Sequence, residues 1–231
     1  MSQYTTVKTP DGTFRAYLAE PRRRPAPSIV VIQEIFGVNA DLRETCDELA
    51  AQGYWAISPD LFWRMEPNVD LSDKTEAEWK KAFALYTAFD YATGVADIAA
   101  TMDVARSLPE ASGKVGLLGY CLGGLMTFLT SAGRGADASV AYYAGGTEKH
   151  LAEAKGIKNP LLMHFGEEDE YISIAAQQAI IAGLKETPSS QVFIYPGCRH
   201  AFARHQGIHY DKDAAALANG RTAEFFKQYL Q

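Results

Sequence analysis

Cysteine is scarce in this sequence, with three among 231 residues. The count is odd, and the chain is far too long to lean on disulfides for its core, which argues against a stapled secreted scaffold and for free thiols in a reducing compartment. Positive charge is also in short supply. Lys and Arg total 22 against 28 Asp and Glu, for a net charge of −6, and no basic face stands out. Nucleic-acid binding needs such a face, so that class is set aside. A small anionic substrate is not, because a few arginines can reverse the field inside a cleft. Internal repeats, low-complexity tracts and flexible linkers are missing too. With 47% hydrophobic and 22% charged residues the composition is that of an ordinary globular protein. Its length suits one large domain, expected to span residues 1–231.

The opening residues 1–12 have neither a basic region nor an apolar one, so no secretory signal is expected. Residues 115–133 carry no charge and are long enough to tempt a membrane assignment. Five glycines interrupt them, and they read instead as a buried strand, a tight turn and a buried helix. The expectation is a soluble cytoplasmic monomer with no membrane and no nucleic-acid partner.

Residues 4–9 and 14–19, around Pro10-Asp11-Gly12, predict an antiparallel hairpin. Residues 29–32 form a short β-branched run, the mark of a strand buried on both faces. Further strands are predicted at 54–58, 114–118, 138–143, 161–165 and 191–195. Helices are predicted at 41–52, 75–88, 91–108, 122–131, 174–185 and 214–229. Short apolar strands alternating with helices mean an α/β fold, a mostly parallel central sheet with helices on both faces.

The sharpest motif is Gly119-Tyr120-Cys121-Leu122-Gly123-Gly124, between a predicted strand and a predicted helix. It is a G-x-C-x-G nucleophile elbow, a turn so tight that its flanking positions tolerate only small residues. The turn aims the middle side chain outward. The helix that begins there directs backbone N–H groups and partial positive charge at that side chain, favouring a thiolate and a developing oxyanion. By itself the pattern is equally compatible with Cys121 as a small core residue and glycines that merely let helix pack on strand.

Elbow enzymes order their residues as nucleophile, acid, base. After Cys121, the strand 161–165 leads into Gly166-Glu167-Glu168-Asp169-Glu170, and the strand 191–195 leads into Pro196-Gly197-Cys198-Arg199-His200. Both candidates lie just past the carboxyl end of a strand, where open α/β sheets collect functional side chains. Asp169 is the preferred acid, with Glu168 and Glu170 as alternatives, and His200 is the base. His164, inside a strand, reads as a satisfied core residue, and His150 as surface. His205 and His209 are four apart, a spacing that could ligate metal on a helix, but Gly207 and the lack of a third ligand count against it. Cys46 falls on an apolar helix face. Cys198 is the rival thiol and lacks an elbow.

The chain resembles the dienelactone hydrolase (carboxymethylenebutenolidase) family, a cysteine-nucleophile branch of the α/β-hydrolases. The resemblance rests on Gln33-Glu34-Ile35-Phe36-Gly37-Val38-Asn39, Ser58-Pro59-Asp60-Leu61, Phe89-Asp90, the elbow, Tyr142-Tyr143 and His200-Ala201-Phe202-Ala203-Arg204. It implies an α/β-hydrolase fold with Cys121, Asp169 and His200 as the triad. It further implies the N–H groups of Ile35 and Leu122 as the oxyanion hole, and Glu34 as the carboxylate that switches Cys121 between thiol and thiolate. Arg204, which alone would read as a surface salt-bridge former, would grip a substrate carboxylate, with Tyr143 nearby. No metal or organic cofactor is called for.

One departure bears on the substrate. Where the family carries an arginine and a tyrosine before Phe-Asp, this chain has Trp79 and Phe83. Lys80 or Lys81 could substitute for the arginine, though a lysine has no bidentate fork. The residues flanking the base, Arg199 and Ala201, also differ from the family's glycine and serine.

Chemistry narrows the class independently. A thiolate is a far better leaving group than a simple alkoxide, so a thiol-derived tetrahedral intermediate collapses forward only if the departing oxyanion is stabilised or is itself a thiolate. Enol lactones, activated aryl esters and thioesters qualify. The expected partner is therefore a small ester or lactone bearing a carboxylate. The alternatives are another activated ester or thioester, and a non-catalytic ligand-binding α/β-hydrolase fold.

Overall fold

The computed structural model describes residues 2–187, 189–205 and 207–231. Its chain divides into two compact units, Met1–Gly116 and Leu117–Gln231. The strands are β1 (Ser2–Thr9), β2 (Gly12–Ala19), β3 (Ala26–Ile32), β4 (Trp55–Pro59), β5 (Ala111–Tyr120), β6 (Ala138–Tyr142), β7 (Leu161–Gly166) and β8 (Ser190–Tyr195). They form one eight-stranded sheet in the order β1-β2-β4-β3-β5-β6-β7-β8.

In the first unit, β1 and β2 make the expected hairpin, and β2 adds antiparallel to β4. From β4 onward the character changes: β3 pairs parallel with β4. Every residue of β3 is buried, and burying each Val or Ile there contributes about 1.5–3 kcal/mol. The helices α1 (Ala40–Ala51), α2 (Glu76–Ala88) and α3 (Tyr91–Arg106) begin where short polar side chains satisfy free N–H groups. Asn39 accepts from Leu42 N at 3.1 Å, and Asp90 from Thr93 N at 2.7 Å. At α2, Thr75 and Glu78 form a reciprocal cap in which Thr75 accepts from Glu78 N and donates to the Glu78 carboxylate.

In the second unit β6–β7 and β7–β8 are parallel. Helix α4 (Leu122–Gly133) packs on β6 and on a 3₁₀ segment, Thr147–Gly156, that no periodicity in the sequence predicts. That segment also receives α5 (Ile174–Gly183), while the long α6 (Lys212–Leu230) packs on β6 and β7. Predicted and observed elements agree to within a few residues. Among the described residues no helix is long and apolar enough to cross a membrane.

Candidate active site

In the second unit, β5 runs directly into α4 with Cys121 as the single residue between them. Cys121 has φ 53° and ψ −114°, a conformation that costs an L-residue energy and persists only where the surroundings enforce it. The enforcement is visible. A Cβ on Gly119 would lie 1.9 Å from the Gly123 carbonyl oxygen and 2.3 Å from Thr127 Oγ1, and one on Gly124 would lie 2.6 Å from the Tyr142 carbonyl oxygen. The Cys121 N–H donates to that same Tyr142 carbonyl at 3.0 Å. The turn thus exists because backbone meets backbone where side chains are missing. Gly119→Ala is accordingly expected to destabilise the protein by about 3 kcal/mol or more, read as a lowered urea midpoint.

Asp169 and His200 come together as the sequence order suggested. The acid follows β7 and the base follows β8, parallel neighbours in register, with Gly166 opposite Tyr195. Gly166 is required here too, since a Cβ would lie 2.4 Å from the Cys198 carbonyl oxygen. His200 Nδ1 lies 2.7 Å from Asp169 Oδ2, and the His200 ring also hydrogen-bonds the Cys121 side chain. Asp169 is itself held, its Oδ1 accepting from Tyr171 N at 2.9 Å and Ile172 N at 3.1 Å. Of the alternative acids, Glu170 takes a different position: it accepts the His200 backbone N–H at 3.2 Å and pairs with Arg199 at 2.8 Å.

Burial opposes charge on the His200 imidazole, but the negative sulfur of Cys121 and the Asp169 carboxylate outweigh it and push its pKa up to about 10. The arrangement therefore favours a proton resident on His200. Cys198, by contrast, is buried, and burial followed by the charges of Asp211 and Glu168 pushes its thiol pKa up.

Tyr143 is fully buried at φ 37°, its ring edge-on to His200 at 5.1 Å. Leu122 is buried at the start of α4. Arg204 is also buried, at 7% exposure, so it is no surface salt-bridge former. Residues 205, 208 and 209 lie in turns rather than a helix, with Gln206 outside the described residues. The four-residue spacing of His205 and His209 consequently has no helical meaning, and His209 Nδ1 instead donates to the His200 carbonyl at 3.1 Å.

Tyr171 is a neighbour of the site that sequence reasoning does not single out. It is 57% exposed, yet its ring meets His200 edge-on at 4.9 Å, and the Cys121 and Asp169 charges help raise its hydroxyl pKa, after burial and Glu170. Its only signal in the sequence is its place two residues after the candidate acid.

In the first unit, the segment after β3 carries Glu34 and Ile35, both buried. Gln33 secures this segment by accepting from Leu61 N at 2.9 Å and donating to the Glu34 carbonyl at 3.3 Å. Phe36 packs edge-on against Trp79 at 5.0 Å, and Trp79 stacks on Phe83 at 5.4 Å. Trp79 is fixed by donating its indole N–H to the Asp73 carbonyl, while Phe83 is 41% exposed. Lys81 is engaged by Glu66 at 2.5 Å, and Lys80 is exposed.

A largely parallel sheet, a strained strand-to-helix turn after β5 and a hydrogen-bonded carboxylate–imidazole pair after β7 and β8 are the marks of an α/β-hydrolase. Comparison with known proteins narrows the class. The chain belongs to the dienelactone hydrolase family, whose pattern matches residues 14–230, and it is a carboxylic ester hydrolase. It is 42% identical to a carboxymethylenebutenolidase of Pseudomonas putida over 226 residues, 97% of this chain and 96% of that one. It is 37% identical to carboxymethylenebutenolidase 1 of Cupriavidus pinatubonensis, over 92% of this chain and 91% of the relative. In three dimensions it resembles the crystal structure of a candidate dienelactone hydrolase of Klebsiella pneumoniae subsp. pneumoniae, with a TM-score of 0.88, 26% identity and 99% of each chain covered.

Proposed function

We propose that this protein hydrolyses the enol-lactone ring of a carboxylate-bearing dienelactone to maleylacetate through a thioester on Cys121. The observation that carries the reading is the hydrogen-bonded line from Asp169 through His200 to Cys121, together with the raised imidazole pKa. The Cys121 sulfur attacks the lactone carbonyl carbon, and the carbonyl oxygen takes up the electron pair. The Leu122 N–H at the start of α4 receives that oxyanion. Collapse re-forms the carbonyl and breaks the ring C–O bond. The enolate leaves with its charge delocalised, takes the proton carried by His200 and tautomerises to the ketone. His200, now neutral and held by Asp169, removes a proton from water, which attacks the thioester and returns the thiol. Arg204 binds the substrate carboxylate. The protein acts as a cytoplasmic monomer.

A second reading is favoured by the exposed Phe83 stacked on Trp79: a neutral activated aryl ester or thioester in place of the lactone. Steady-state hydrolysis of cis- and trans-dienelactone beside a carboxylate-free aryl ester separates the two. Lactone turnover with kcat/KM of about 10⁴ M⁻¹s⁻¹ or more is expected. Arg204→Met is expected to raise KM for the lactone about tenfold or more, as loss of a charged hydrogen bond would, and to leave the neutral ester unaffected. Turnover of the neutral ester alone retires the dienelactone.

A further inference from the structure

We propose that His164 and Thr222 are positioning residues for the Cys121–His200 pair, acting through a one-way chain of hydrogen bonds that clamps the Tyr142–Tyr143 peptide. The proposal rests on Cys121 and His200 being the reacting pair.

His164 lies in β7 and is wholly buried, yet neither ring nitrogen is idle. Tyr195 Oη is 2.9 Å from Nδ1, and Thr222 Oγ1 is 3.1 Å from Nε2. Thr222 Oγ1 in turn lies 2.6 Å from Tyr142 Oη, which lies 2.9 Å from Asn219 Oδ1. At the other end, Arg221 donates to Tyr195 Oη at 3.1 Å. Three strands, β6, β7 and β8, are thereby joined through polar side chains to α6.

The direction of this chain follows from its ends. Asn219 Oδ1 can only accept, so Tyr142 gives its proton there and must accept from Thr222, which must then accept from His164 Nε2. Tyr195, accepting from Arg221, gives its own proton to His164 Nδ1. A neutral imidazole that accepts at Nδ1 carries its proton on Nε2, and it donates to Thr222. Thr222 passes its proton to Tyr142, and Tyr142 donates to Asn219. Every hydroxyl gives once and accepts once. Burial, reinforced by the nearby Arg221 charge, keeps the ring neutral, with its pKa pushed down to about 3.

The far side of this chain is the elbow. The Tyr142 carbonyl accepts the Cys121 N–H at 3.0 Å, and the His164 carbonyl accepts the Tyr143 N–H at 2.7 Å. Tyr143 then turns through a positive φ and lays its ring edge-on to His200. The Tyr142 hydroxyl end and the Tyr143 amide are thus both tied, directly or through one hydroxyl, to His164. A strained nucleophile needs a fixed neighbour to hold it, and this peptide is that neighbour.

The test is Thr222→Val, which keeps the side-chain shape and deletes the hydroxyl. Expected are a kcat about tenfold lower or more with KM within about twofold, slower alkylation of Cys121 by iodoacetamide, and recovery of both in Thr222→Ser. A purely structural Thr222 would lower the melting temperature and leave kcat and alkylation unchanged at temperatures where the variant is folded. That result overturns the proposal. Should the variant not fold, the ring ¹⁵N shifts of His164 in the parent protein decide: Nε2–H is expected, and Nδ1–H breaks the chain. Alkylation and ring shifts require no turnover, so they stay informative even if Cys121→Ala proves active and the hydrolytic reading fails.

Discussion

Cys121→Ala is expected to lower kcat/KM for the favoured ester by about 10⁴-fold or more, the scale of losing a nucleophile that works as part of a unit. Asp169→Asn should cost about as much, for another reason. Its carboxylate accepts from His200 Nδ1 at 2.7 Å while its second oxygen is held by the Tyr171 and Ile172 amides. An asparagine would keep those contacts and turn an N–H toward His200, enforcing the wrong imidazole tautomer. Cys198→Ala should leave turnover near the parent value, because that thiol is buried with its pKa raised. A further readout follows from the charge on the sulfur. Cys121 both hydrogen-bonds His200 and raises its pKa through charge, so the imidazole pKa measured by NMR should fall well below about 10 in Cys121→Ala. Full activity in Cys121→Ala with loss in Cys198→Ala would reject the assignment of the nucleophile.

Stability should fall as pH drops below about 6.5, because the buried His164 imidazole is held well below that ordinary value. With a folded pKa of about 3, the folded chain refuses a proton that the unfolded chain binds between pH 3 and 6.5, so stability is lost as pH falls through that window. The slope is about 1.4 kcal/mol per pH unit for one proton, with carboxylates adding to it at its lower end. Urea unfolding at half-unit intervals checks it. His164→Gln should flatten the curve between about pH 5 and 6.5, and a parent curve already flat there is incompatible with a neutral buried His164.

Much of this molecule is legible in the amino-acid sequence. Strand and helix order can be read from short β-branched runs, from Asn39, Thr75 and Asp90 as caps, and from glycines at the elbow, because these depend on local sterics and on hydrogen bonds between near neighbours. Cys121, Asp169 and His200 can be picked out because strand ends are where such folds expose side chains. Asp169 can be preferred over Glu168 and Glu170 but not chosen outright, since all three share one loop.

Other features depend on residues far apart in sequence, and no local pattern signals them. Glu170 clamps the His200 backbone from 30 residues away. Arg204 is buried rather than exposed. Trp79 and Phe83 are four apart on α2, yet Trp79 also meets Phe36 edge-on, a contact that only tertiary packing makes. His164 reads as a satisfied core residue, which it is, but its partners come from β6, β8 and α6, and their order of donation exists only once those elements are assembled. Which residues can turn, cap, attack and accept a proton is written in the chain, since those are properties of single side chains and their immediate neighbours. Which of them share a proton and which merely sit nearby is settled by packing, because a hydrogen bond exists only where the fold brings donor and acceptor within about 3 Å.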